Sequence, residues 1–284
     1  MVCRKEVFEI KRSVLTLVCI FACLTAFLGV TEAKNTIPRV TADAVMLIDN
    51  NTGKVLYEKN PDKREYPASL TKIMTAVMVL EDNNNDREVT ISHTAGNTPY
   101  GSYAYTGQVV RQFDLLTQMM LISDNVAAAA LAEAVGGSER NFAEMMNKKA
   151  LSIGAMNTHF VNPHGLSDLN HYTTARDMAK IARYAMHKDL FRRIVSSQSL
   201  YVNSIYPEGE QLFCENTNEL VYDYEGCTGI KTGWTRAAGG CLAAAAKRQD
   251  REVLVILLHS DSMESRFSEA VSMLDYGFAV LDKK

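Results

Sequence analysis

A chain of 284 residues, 47% hydrophobic and 22% charged, carries enough apolar material for a substantial core and is not a disordered protein. Its formal net charge of -3, with no Lys/Arg run interleaved with aromatics, argues against nucleic acid as a partner. No Pro/Ser-rich linker and no internal repeat divides it.

The first element is a leader. Arg4, Lys5, Lys11 and Arg12 precede an uncharged, mostly apolar run from Val14 to Val30, and Thr31-Glu32-Ala33 supplies the small residues behind which a signal peptidase cuts. This pattern predicts a signal peptide over residues 1–33, then a single domain over 34–284. The run is long for a signal core and near the lower limit of a membrane span, so an uncleaved anchor is the alternative. Both readings place the remainder outside the cytoplasm, secreted or associated with wall or membrane, with any membrane attachment made through this segment. Ile20-Phe21-Ala22-Cys23 is a poor lipidation site, because Phe21 is bulky and Cys23 sits midway along the run. Cys3, Cys19 and Cys23 lie in the leader, which leaves Cys214, Cys227 and Cys241, an odd number that argues against a disulfide framework and for buried small hydrophobes.

Ala44 to Asp49 and Lys54 to Tyr57 read as strands joined by a tight turn at Asn50-Asn51-Thr52-Gly53. Ser69 to Leu80 has helical spacing, and the Asn/Asp-rich Glu81 to Glu88 segment ends it. Helical periodicity then runs from Phe113 to Val135, Glu139 to Ile153 and Thr173 to Met186, punctuated by Gly136-Gly137 and Asn162-Pro163-His164-Gly165. Ala127 to Ala130 predicts close helix packing, and the pairs Met119-Met120 and Met145-Met146 core filler. Strand character returns at Leu200 to Asn203, Cys227 to Lys231, Gly240 to Ala246 and Val253 to His259, before a closing helix over Ser262 to Leu281. The order implies an α+β fold, with an antiparallel sheet from the N- and C-terminal segments flanked by a central helical block.

Three short patterns carry chemistry. Ser69-Leu70-Thr71-Lys72 puts a hydroxyl and an amine three residues apart at a helix start, on one face. A serine hydroxyl needs a base to become a nucleophile, and burial or a second cation brings a lysine towards neutrality. Alone the pattern means little, since Ser-x-x-Lys is expected about once in a few hundred residues. Ser123-Asp124-Asn125 doubles as a helix N-cap, and Lys231-Thr232-Gly233 as a strand ending in a turn. Together and in this order, each occurring once, the three form a known catalytic set.

With its flanks, Tyr66-Pro67-Ala68-Ser69-Leu70-Thr71-Lys72-Ile73-Met74-Thr75, Asn162-Pro163-His164-Gly165-Leu166 and Gly229-Ile230-Lys231-Thr232-Gly233-Trp234-Thr235, the chain resembles the low-molecular-weight D,D-carboxypeptidases among the penicillin-recognising serine acyltransferases, over roughly Thr41 to Leu281. The resemblance implies a β-lactamase/transpeptidase-like fold and removal of the terminal D-alanine from peptidoglycan stem peptides ending in D-Ala-D-Ala, with β-lactams as covalent inhibitors. It also implies that Ser69 is acylated, Lys72 takes its proton and Ser123 relays a proton to the leaving D-alanine. Asn125 would bind the peptide backbone and Lys72, Lys231 with Thr232 would hold the terminal carboxylate, and the N–H groups of Ser69 and Trp234 would form the oxyanion hole. Gly233 would leave room for substrate along the strand edge. Lys231 beside Lys72 would help keep the base neutral.

Two departures stand out. Asp124 occupies a position where many relatives carry Gly or Ala, and the β-rich C-terminal domain of many relatives is not expected within 34–284. A class A β-lactamase is one alternative, but Ala155 to Thr174 contains no glutamate to deacylate the enzyme. An inactive penicillin-binding sensor is another, opposed by the full set of hydroxyls and amines. No cofactor is expected, and His93, His159, His164, His171, His187 and His259 lack metal-ligand spacing, so no metal is expected either.

Overall fold

The computed structural model describes residues 36–101 and 103–282; the leader, its cleavage site and its cysteines lie outside the described residues. The hairpin forms as the turn chemistry requires. Strand β1 (Ala44–Asp49) and β2 (Val55–Lys59) are joined through Gly53, whose φ of +78° lets its N–H reach Asp49 O at 2.7 Å. The C-terminal strands β7 (Cys227–Thr235), β8 (Gly239–Arg248) and β9 (Arg251–Ser260) complete a five-stranded antiparallel sheet in the order β2-β1-β9-β8-β7.

Both faces of this sheet are covered, which is why its strands read as unbroken apolar runs. Val45, Leu47, Leu242, Val255 and Leu257 point to one face, where the last helix, α9 (Ser265–Asp282), packs with Phe267, Met273 and Phe278. Met46, Ile48, Leu254 and Ile256 point to the other, where helix α6 (Ala175–Met186) packs, and against α6 in turn lies helix α1 (Thr71–Glu81), buried from Thr71 to Leu80. Such a helix is apolar all round because protein surrounds it.

The helical block holds α1, a short α2 (His93–Gly96), α3 (Gln112–Leu121), α4 (Asn125–Gly136), α5 (Glu139–Ser152), α6 (Ala175–Met186) and a further α7 (Asp189–Ser196). The helix expected over Phe113 to Val135 is two helices. The chain breaks at Ile122–Asp124, where Ser123 takes φ +64° and Asp124 caps α4 by accepting from Val126 N at 2.8 Å. Ala127 to Ala130 are fully buried in α4, and Gly137, at φ +75°, closes it by donating to Glu133 O.

A second, four-stranded sheet was only partly visible in the sequence. Strands β3 (Glu88–Thr90), β4 (Val109–Arg111), β5 (Ser199–Tyr206) and β6 (Gln211–Glu215) pair antiparallel in that order, and α8 (Leu220–Asp223) follows. Two of its strands are three residues long, and its longer pair exposes Tyr201 and Phe213 on the outer face, which blurs the apolar signal. No described helix is long and apolar enough to cross a membrane.

Candidate active site

Ser69 sits in a single 3₁₀ turn, Ala68–Leu70, that leads into α1, so the helix proper begins at Thr71 rather than at Ser69. The turn is held from behind. Gly165 takes φ +90°, and a Cβ built on it would lie 1.9 Å from Ala68 O, so the Asn162-Pro163-His164-Gly165 segment can pass there only with glycine. Asn162 Oδ1 accepts from Gly165 N at 2.7 Å, and Thr75 of α1 donates to Pro163 O at 2.6 Å. A segment that the sequence marks as punctuation thus packs directly against the turn carrying Ser69.

Lys72 projects from the first turn of α1 into a fully buried position, with Nζ 3.1 Å from Ser69 Oγ. It donates to Asn125 Oδ1 at 2.7 Å and to His164 O at 2.8 Å. Burial brings its pKa down to about 7, against the pull of the Asp124 negative charge, which favours the ammonium. Asn125 is oriented by its other end, where Nδ2 donates to Pro99 O at 2.9 Å.

Asp124, the residue at odds with the family pattern, is buried and well satisfied. Besides capping α4, its Oδ2 accepts from Ala104 N at 3.1 Å, Tyr103 N at 3.3 Å and Gln118 Nε2 at 2.8 Å. It ties the loop after α2 to the α3–α4 junction that presents Ser123.

His171 and Thr71 form a second support. His171 Nδ1 accepts from Val161 N at 3.2 Å, so Nε2–H donates to Thr71 Oγ1 at 2.8 Å, and Thr71 in turn donates to Ala68 O at 2.8 Å. Burial pushes the His171 pKa down to about 3, which keeps the ring neutral and this chain intact at ordinary pH. Buried His164 is also held below the usual histidine range, with Nε2 3.5 Å from Glu139 Oε2.

Strand β7 forms the opposite wall and extends past the expected Lys231 to Thr235. Lys231 is fully buried and donates to Thr232 O at 3.2 Å; burial, then repulsion from Lys72 and Arg266, sets its pKa well below the usual value. Thr232 Oγ1 lies 2.8 Å from Thr217 Oγ1. Gly233 has a different reason from the one expected: a Cβ there would come 3.0 Å from Ser69 N and 3.2 Å from Ala68 Cβ, so it is the approach of β7 to the Ser69 turn that needs glycine. Arg266, which nothing in the sequence singled out, reaches from α9 and donates to Gly233 O at 2.8 Å.

Ser69, Ser123, Asn125 and Trp234 line one cleft of about 850 Å³, with Tyr100 and Leu166 on its walls. Lys72, Lys231, Thr232 and Gly233 lie beneath that surface. The arrangement can deliver a hydroxyl to a carbonyl while presenting buried lysine amines nearby. Among the described residues, Asp43, Glu65 and His259 converge with the spacing of a metal site, but they are not part of the cleft and Lys63 Nζ already lies 2.6 Å from both carboxylates. Cys214 and Cys241 are buried and Cys227 half-buried, none of them paired; burial pushes the Cys241 thiol up to about 12.

A sequence model of the D-alanyl-D-alanine carboxypeptidase family matches residues 31–262. A D-alanyl-D-alanine carboxypeptidase of Streptomyces sp. (strain K15) is 35% identical over 290 residues, covering 96% of this chain and 100% of its own length. The Bacillus subtilis (strain 168) D-alanyl-D-alanine carboxypeptidase DacF is 33% identical over 84% of this chain, which spans 62% of that relative. Among solved structures, the Streptomyces K15 DD-transpeptidase superposes with a TM-score of 0.81 at 34% identity, over 86% of this chain and 99% of that one. The α+β, transpeptidase-like architecture expected from the motifs is the one the chain adopts.

Proposed function

The chain belongs to the D-alanyl-D-alanine carboxypeptidase family, the penicillin-recognising serine peptidases, and we infer that it removes the terminal D-alanine of peptides ending in D-Ala-D-Ala through an acyl-enzyme on Ser69. One observation carries this reading. A neutral Lys72 has two N–H groups and one lone pair, and two of its three close oxygens, Asn125 Oδ1 and His164 O, can only accept. They take both N–H groups, which leaves the lone pair facing the Ser69 hydroxyl at 3.1 Å. Ser69 then donates to its base in the ground state.

In the acylation step Ser69 Oγ bonds to the penultimate carbonyl carbon as the C–N bond to the terminal D-alanine breaks. The serine proton passes to Lys72, and Ser123, on the same cleft, relays a proton to the leaving amine. The N–H groups of Ser69 and Trp234 stabilise the oxyanion. The terminal carboxylate is held by Lys231 and Thr232, and its negative charge returns the depressed Lys231 to the ammonium form. Water, activated by the same Lys72, then cleaves the ester. Asn125 aligns the peptide backbone.

A β-lactam, which presents a reactive carbonyl and a carboxylate to the same groups, acylates Ser69 as an inhibitor. Turnover like that of a class A β-lactamase is disfavoured, because residues 155–174 contain no glutamate and the nearby Glu139 is engaged by His164. Catalytic groups gathered in one cleft and directly beneath it weigh against an inert sensor. The leader over residues 1–33 supports action outside the cytoplasm on peptidoglycan stem peptides, with residues 34–284 as the catalytic part and the leader as the means of any membrane attachment. Intact mass after incubation with benzylpenicillin tests the assignment. A single adduct that Ser69→Ala abolishes is expected, together with D-alanine release from a D-Ala-D-Ala peptide; an adduct that survives the substitution overturns it.

A further inference from the structure

The cleft carries one charged side chain that the reaction does not use. Arg236 follows Trp234-Thr235 on the turn between β7 and β8, is exposed, and lines the cleft mouth together with Tyr100 and Ser167. No aspartate or glutamate is among the described cleft-lining residues, and Arg236 takes part in no ion pair among the described residues. Other arginines of the molecule are engaged: Arg176 with Asp62, Arg192 with Glu252, Arg248 with Asp275 and Arg266 with a backbone carbonyl. An unpaired guanidinium at the mouth of an otherwise uncharged cleft is a ready partner for a planar anion.

Its place along the strand says which part of a substrate it meets. β7 is the last strand of its sheet, and its free edge borders the cleft. Resting on the function proposed above, a peptide added to that edge as an antiparallel strand has its terminal carboxylate level with Lys231 and Thr232 and its scissile carbonyl near Trp234. Residues advance about 3.4 Å each along such a strand. The residue just before the terminal dipeptide therefore comes level with Thr235 and Arg236. We propose that Arg236 is a specificity-determining residue, selecting stem peptides whose third residue from the C-terminus bears a free carboxylate on its side chain. An amide or amine at that place finds no carboxylate in the lining and meets the cation instead.

Two isosteric probes test this on the purified chain: N-acetyl-L-Glu-D-Ala-D-Ala and N-acetyl-L-Gln-D-Ala-D-Ala, followed by D-alanine release. The expected result is a kcat/KM ratio of about tenfold in favour of the Glu peptide, carried mainly by KM and shrinking as salt is raised. In Arg236→Gln the ratio falls to about one, and in Arg236→Glu it inverts, because repulsion replaces attraction. Equal use of both peptides by the wild type, or a ratio that Arg236→Gln leaves in place, overturns the assignment while the function stands. Release from neither peptide, with no penicillin adduct on Ser69, overturns the function and this inference together.

Discussion

The backbone carbonyl of His164 accepts a hydrogen bond from Lys72 Nζ at 2.8 Å, joining a loop residue to a helix residue 92 positions earlier. With Asn125 Oδ1 it consumes the two N–H groups of the neutral amine and so aims the lone pair. Because burial brings Lys72 to about 7, the reactive form is the deprotonated one, which grows as pH rises through that value. The rate of penicillin acylation should therefore climb about tenfold per pH unit below about pH 7 and level off above it. A stopped-flow pH profile checks this, and a flat profile from pH 5 to 8 would identify a different base. Lys72→Ala should abolish acylation in a protein that still folds.

Asp124 enters the same pH profile with the opposite sign. Its charge favours the Lys72 ammonium, so Asp124→Asn should move the ascending limb to lower pH. The Ala variant is also costly to the fold. It removes an N-cap worth about 1 kcal/mol and strands the buried donors of Ala104 and Gln118, at about 1–3 kcal/mol each. Urea melts should place Asp124→Ala roughly 3 kcal/mol below wild type. A loss under about 0.5 kcal/mol would mean that the loop finds other acceptors.

Gly165→Ala adds a methyl where Ala68 O lies 1.9 Å away, at a φ of +90° that L-residues avoid. The segment must shift, and with it the His164 carbonyl and the turn carrying Ser69. We expect a fall in melting temperature of at least about 4 °C and a larger proportional fall in acylation rate than in stability. Differential scanning fluorimetry beside a fluorescent-penicillin assay separates the two effects.

Glu81, at the end of α1, gathers Lys149 at 2.6 Å, Lys188 at 3.0 Å and the Tyr184 hydroxyl at 2.6 Å. Burial raises its pKa, but these three hydrogen-bonded partners more than offset it and hold the carboxyl down to about 2. A carboxylate whose folded pKa is depressed stabilises the fold fully above its unfolded value, near 4.5, and loses that contribution as pH falls towards 2. Since the cluster is partly solvated, Glu81→Gln should cost only about 1 kcal/mol at pH 7. The difference between wild type and variant should narrow between pH 4.5 and 2 in chemical denaturation. A constant gap across that range would show that sterics, not charge, set it.

Much of the main sheet was legible because residues on both faces of β1, β8 and β9 are buried and write continuous apolar runs. The three motifs were legible because each is a contiguous string, and the break at Ser123-Asp124-Asn125 was announced by its capping residues, although the apolar periodicity on either side overrode them. What escaped notice acts across long sequence separations through generic groups. The His164 carbonyl has no side-chain signature, Arg266 looks like any charged residue in an amphipathic helix, and the His171–Thr71–Ala68 relay spans a hundred positions. Of the second sheet only Leu200 to Asn203 in β5 was legible; the rest was hidden by the brevity of β3 and β4 and by the exposed Tyr201 and Phe213.

The outermost strand beside the cleft has a liability built into its use. Main-chain groups left without a ladder partner are an open template for any extended polypeptide, including a second copy caught half-folded. Close packing of the Ser69 turn against Gly233, a half-exposed indole at Trp234 and a cation at Arg236 break up that template, so that short stretches remain available rather than a full strand's length. Replacing Trp234 and Arg236 together by threonine would lengthen the smooth stretch, and the cost would emerge as precipitation during refolding rather than as a weaker native state.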